Sequence, residues 1–99
     1  MLDALWGRHQ AKPFPTACRG RAIEGIDLER LDGDVGRCVR TYLASRVLTP
    51  EDRELLVRCI EELEQVVPKL EGEGREYFRL LEALAGILLH HCQADAPAA

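Results

Sequence analysis

Between residues 28 and 92 the apolar side chains recur at intervals of three and four, and two short turn sequences divide the pattern into three segments. This spacing places apolar residues on one face of an α-helix, whereas a half-buried strand would alternate at every second residue. The pattern therefore predicts an all-α protein. Its three helices, at about residues 28–45, 50–67 and 73–92, are expected to pack as a three-helix bundle.

Capping residues support the predicted helix ends. Asp27 precedes the first segment and can accept a hydrogen bond from an unpaired N–H group of the first turn. Thr49 and Pro50 give the same signal for the second helix, because proline suits the first helical position. Pro68 removes a backbone donor and is expected to end that helix.

The third predicted helix has an unusually broad apolar face. Its apolar residues cover about 200° of the helix circumference, which is more than one neighbour can bury. Helices one and two together, the N-terminal residues, or a second copy of the chain could cover it. The last alternative predicts a homodimer, with Tyr77, Leu80 and Ile87 as interface candidates.

Residues 1–26 are rich in proline and glycine, and we call them the N-terminal arm. Beyond one helical turn at residues 3–6 and a short β-hairpin around residues 21–26, the arm is predicted to be irregular. Its apolar residues favour an ordered arm packed across the bundle. The chain is then a single domain, residues 1–99, with the arm, the bundle at residues 27–93 and a frayed tail at residues 94–99.

Charge is distributed unevenly along the chain. Residues 1–23 carry four basic side chains and one acidic one, a net of +3, while the remainder carries −7. The simplest consequence is that the basic arm lies against acidic helices. Four dispersed cations beside an acidic body do not favour nucleic-acid binding, and no apolar run is long enough to cross a membrane. Without a signal-peptide pattern, the expected location is the cytoplasm, and the preference for arginine over lysine is typical of a GC-rich bacterial genome.

No motif predicts catalysis, a cofactor or a metal. In a reducing compartment the four cysteines are expected to be thiols, and none forms a C-x-x-C pair. Cys18 has Arg19 and Arg21 nearby, which favours a thiolate, yet no histidine stands at a spacing typical of a nucleophile–base pair. His90 and His91 are adjacent on a helix and point about 100° apart, so they are poorly placed to share one ion.

Asp32 lies beside the apolar face of the first predicted helix, and a covered carboxylate needs a partner. Arg19 or Arg21 is the expected partner, which would anchor the arm to that helix. For function, the pattern favours a non-enzymatic protein–protein interaction module. The alternative is a small-ligand or metal-binding protein with a pocket between arm and bundle, and with Cys18, Arg19, Arg21 and Asp32 at its mouth.

Overall fold

The computed structural model describes residues 2–95, with side chains up to residue 92, and contains four α-helices and one β-hairpin in that range. The predicted all-α class is confirmed, but the bundle has four helices instead of three. In chain order the elements are α1 (Leu2–Ala11), β1 (Ala22–Ile23), β2 (Ile26–Asp27), α2 (Leu28–Ser45), α3 (Pro50–Val66) and α4 (Gly72–Asp95), with 3₁₀ turns at Thr16–Cys18 and Val67–Lys69.

The predicted boundaries of α2 and α3 agree with the structure to within one residue. The side chain of Asp27 accepts a hydrogen bond from the backbone N–H of Arg30 at 3.0 Å, which caps α2. Thr49 accepts from the N–H of Asp52 at 3.1 Å, and Pro50 occupies the first turn of α3. α4 runs to Asp95, three residues beyond its predicted end, and residues 96–99 of the predicted tail lie outside the described residues.

Helix α1 corrects the prediction of an irregular arm. Leu2, Leu5, Trp6 and His9 follow the spacing of one helical face, and Leu2 and His9 are buried. The face is hard to detect in the sequence because Gly7 interrupts it and its last inward position holds a polar side chain. The irregular part is therefore confined to residues 12–21, which we call the connector.

The N-terminal residues cover the broad apolar face of α4. Helix α4 packs against α1, α2 and α3, so it lies at the centre of the molecule. Its fully buried side chains include Phe78, Leu81, Leu84 and Leu88. Phe14 of the connector contacts Phe78 edge-on, with ring centroids 6.0 Å apart. Intramolecular neighbours thus account for the width of the face that predicted a second copy of the chain.

The short hairpin is present where the sequence suggested one. Ala22 pairs with Asp27 and Ile23 with Ile26 in antiparallel register, and both isoleucines are buried against the bundle. The two turn residues, Glu24 and Gly25, have φ angles of 54° and 77°. Positive φ at both positions is the geometry of a type I′ turn, which matches the twist of paired strands.

Among the described residues, none of the helices combines the length and the apolar character needed to cross a membrane.

Two glycines of α4 make a matched pair for testing how closely the connector packs. A methyl group at Gly86 would meet no atom within 4 Å, so we expect Gly86→Ala to stabilise the protein by about 0.5–1 kcal/mol through helix propensity. At Gly74 the added carbon would lie 3.2 Å from the sulfur of Cys18. Gly74→Ala should therefore be less favourable than Gly86→Ala by about 1 kcal/mol in urea denaturation, and equal effects would contradict this packing.

Candidate functional site

Helices α1, α2 and α4 meet at three polar side chains, His9, Asp32 and Tyr77, which we call the Asp32 cluster. His9 Nε2 lies 3.1 Å from Asp32 Oδ1. The hydroxyl of Tyr77 donates to the same carboxylate, at 3.0 Å from Oδ1 and 3.1 Å from Oδ2. Because a carboxylate oxygen accepts, Nε2 of His9 is the donor and carries a proton. One carboxylate therefore connects three helices.

The cluster is covered unevenly. His9 is 4% exposed and Tyr77 is 6% exposed, while the side chain of Asp32 keeps 24% of its surface in contact with solvent. The His9 ring lies between two aromatic rings, with centroid distances of 5.7 Å to Trp6 and 4.5 Å to Tyr77. Its second nitrogen, Nδ1, is buried and has no hydrogen-bond partner. Such groups are uncommon in folded proteins and point to strain or to function.

Tyr77 is held in its neutral form. Burial raises the pKa of the phenol, and the charge of Asp32 together with the hydrogen bond to it raises that pKa further. Tyr77 therefore acts as a hydrogen-bond donor to Asp32 and keeps the carboxylate oriented.

Three surface clefts surround the Asp32 cluster. The largest, about 290 Å³, lies between α1 and α2 and is called here the α1–α2 cleft. Besides the cluster itself, its lining includes Trp6, Lys12, Gly33, Gly36 and Arg40. The two others, of about 240 Å³ and 200 Å³, share Asp32 and Tyr77 respectively with it. Pockets between the N-terminal residues and the bundle thus exist, as the ligand-binding alternative requires.

The four predicted binding residues are only partly brought together. Asp32 is central, and Arg19 lines the 240 Å³ cleft beside it. Arg21 is exposed and lines none of the three clefts described above. Cys18, which belongs to the connector, is 1% exposed, and its sulfur faces α4 at Gly74. It is therefore not at the mouth of a pocket.

The predicted arginine anchor of Asp32 is replaced by His9 and Tyr77. Neither Arg19 nor Arg21 forms an ion pair with Asp32 in the described part of the chain. His9 was missed because a histidine on a short, glycine-containing helix gives no apolar signal. Its seven-residue spacing from Leu2 is the signal that could have placed it on the inner face.

The interface candidates on α4 have different environments. Tyr77 is buried and bonded to Asp32, so its surface is already used within the chain. Leu80 and Ile87 are half-buried, and Ile87 packs against the core. Self-association through this part of α4 stays a prediction.

All four cysteines are buried thiols. Burial raises the pKa of Cys38 to about 11 and that of Cys59 to about 12. Burial also raises the pKa of Cys18, against the opposing effect of the Arg21 charge. A protonated, covered thiol is a poor nucleophile, so the geometry gives no support to a catalytic Cys18.

These raised pKa values predict how stability depends on pH. The folded state favours the protonated thiols of Cys38 and Cys59. Their contribution to the free energy of unfolding is therefore fully present below about pH 9 and is lost as the pH rises toward 12. We expect the free energy of unfolding, measured in urea with a reductant present, to fall steadily above about pH 9. A flat profile up to pH 11 would contradict the assignment.

Burial of the cysteines also predicts slow chemical labelling. Ellman's reagent is expected to react with the native protein far more slowly than it reacts with glutathione, and to label all four cysteines once the protein is denatured.

Metal ligands are not clustered in the described residues: no three His, Cys, Asp or Glu side chains lie where they could share an ion. The rings of His90 and His91 have centroids 6.5 Å apart, and His91 instead contacts Tyr42 edge-on at 6.3 Å.

Comparisons with protein-family models, with curated proteins and with solved structures gave no match to this chain. The chemistry of the α1–α2 cleft must therefore be inferred from its own residues.

Proposed function

We propose that this protein is a non-enzymatic binder of a small molecule, which it takes into the α1–α2 cleft. The observation that carries the proposal is the lining of this cleft of about 290 Å³, which combines the indole of Trp6 with the partly exposed carboxylate of Asp32. Clefts that combine an aromatic lining with a small number of polar groups are typical of small-molecule sites.

The charges around the cleft support the same function. Lys12 and Arg40 line it, and neither forms an ion pair within the described residues. The cleft thus presents cations that are available to a ligand, beside a carboxylate held by two donors.

Binding without catalysis is favoured by the burial of the reactive groups. The free nitrogen of His9 is covered, so it is not placed to exchange a proton with a molecule in the cleft. The thiols are buried as well. A cytoplasmic location is part of the same proposal, since a reducing compartment would keep these buried cysteines as thiols.

Trp6 makes the proposal directly testable, because it is the only tryptophan in the chain and lines the cleft. We expect a small-molecule library, screened by tryptophan fluorescence and by amide NMR shifts, to yield ligands that perturb Trp6 and the first half of α2. Arg40→Ala should weaken their binding. Arg79→Ala, an exposed arginine on α4 outside the cleft, is the matched control. The proposal would be refuted if the ligands bound Arg40→Ala as tightly as the unchanged protein, or if no compound of the library bound.

A protein–protein interaction is the second candidate, supported by Leu80 and Ile87. These half-buried side chains are seven residues apart on α4 and therefore lie on the same face. A homodimer through this face predicts a concentration-dependent molar mass in sedimentation equilibrium. Leu80→Glu should return the protein to the monomer.

A further inference from the structure

Two residues of opposite charge, Asp32 and Arg40, lie on one face of α2 without forming an ion pair. Asp32, Gly36 and Arg40 follow one another at intervals of four and so lie on the same face of the helix. The Nη1 atom of Arg40 lies 3.2 Å from the position that a Gly36 Cβ would occupy, so the guanidinium folds back by one turn toward Asp32. Even so, Arg40 and Asp32 form no ion pair in the described chain.

Asp32 has room for one more donor. A carboxylate offers about four lone-pair positions, and His9 and Tyr77 supply two donor hydrogens, of which the Tyr77 hydroxyl lies within reach of both oxygens. About a quarter of its side chain is still exposed, and Asp32 lines both the α1–α2 cleft and the 240 Å³ cleft beside it. A ligand N–H group could therefore bind Asp32 without displacing either neighbour.

Two glycines lie between the charges on α2, and both line the cleft. Gly33 is exposed, whereas Gly36 is buried against the side chains of Trp6 and Arg40. A methyl group at Gly33 would meet nothing within 4 Å, so an alanine there can narrow the cleft without a clash. At Gly36 the side chain of Trp6 approaches within 3.5 Å of the same virtual carbon, which makes the indole a wall of the cleft.

We infer that the ligand of the α1–α2 cleft is a small zwitterion of the α-amino acid type, with its ammonium group on Asp32 and its carboxylate on Arg40. Lys12 lines the same cleft and adds to its positive charge. The inference rests on the proposed function and specifies the class of molecule bound. Charge-assisted hydrogen bonds at both ends would exclude compounds that carry only one of the two charges.

The test begins with the twenty free L-amino acids at millimolar concentration, followed by amide NMR shifts of the full chain. For each amino acid that binds, the N-acetyl derivative removes the ammonium charge and the carboxamide removes the carboxylate. We expect each derivative to bind at least tenfold more weakly than its parent. An N-acetyl derivative that binds as well as the free amino acid would overturn the inference in favour of a simple anion site.

Variants test the two charged residues, Asp32 and Arg40, separately from Gly33, which lies between them. Arg40→Gln and Asp32→Asn should each lower affinity at least tenfold, while Arg79→Gln should not. Because Asp32→Asn also disturbs a structural contact, Gly33→Ala gives an independent measurement. Gly33→Ala and Gly86→Ala should both raise the urea midpoint, but only Gly33→Ala should weaken binding; equal binding by the two would overturn the inference.

The outcomes also separate this inference from the proposed function. If no amino acid binds but other compounds perturb Trp6 in a manner that depends on Arg40, the inferred ligand class is wrong and the proposed binding function stands. If amino acids and library compounds alike leave every amide shift of the cleft unchanged, both are wrong.

Discussion

Replacing Phe78 by alanine is expected to destabilise the protein by about 3–5 kcal/mol, the range measured when buried aromatic side chains are truncated in other proteins. Phe78 is fully buried on α4. Its ring contacts Tyr77 at a centroid distance of 5.3 Å and Phe14 at 6.0 Å. The substitution would therefore leave a cavity where the connector, α4 and the Asp32 cluster meet. Urea denaturation followed by far-UV circular dichroism measures the loss.

Val57→Ala is the matched control for this prediction. Val57 lies on α3 with 38% of its surface exposed, so its truncation should change stability by less than about 1 kcal/mol. Domains of this size are typically stable by about 5–15 kcal/mol, and Phe78→Ala therefore removes a large share of the total. A loss below 1 kcal/mol for Phe78→Ala would mean that the connector does not pack against α4 as described.

The helices of the bundle could be predicted because local signals and burial agree there. In α2 and α3 the capping residues Asp27 and Thr49 mark the starts, and the apolar spacing continues without interruption. The short hairpin predicted around residues 21–26 also joins residues that are near neighbours in the sequence. Such features depend on residues close together in the sequence.

For the Asp32 cluster, the sequence predicts that Asp32 needs a partner but not which residues supply it. The helical wheel of α2 indicates that Asp32 borders the buried face and needs a partner, and this part is correct. It cannot indicate which distant residue arrives there. His9 and Tyr77 lie 23 and 45 residues away, and their approach depends on the packing of α1 and α4. The nearby arginines seemed the natural partners because charge, unlike tertiary position, is visible in the sequence.

Removing the carboxylate is expected to release α1 from the bundle. Asp32→Ala would leave the Nε2 proton of His9 and the hydroxyl of Tyr77 buried without an acceptor. An unsatisfied buried donor costs about 1–3 kcal/mol, so we expect a total loss of about 2–4 kcal/mol. Hydrogen exchange should then accelerate in α1 and the connector more than in α3, since α3 contributes no side chain to the cluster.

A triple variant separates the polar contacts from the shape they hold. Asp32→Leu, His9→Leu and Tyr77→Phe together replace all three polar groups by apolar ones, so no buried donor is left unpaired. We expect this variant to recover most of the stability lost in Asp32→Ala, as happens when a buried polar network is replaced as a unit. It should nevertheless bind no ligand in the α1–α2 cleft. Recovery of both stability and binding would show that the Asp32 cluster only joins the helices, and that the cleft does not depend on its charge.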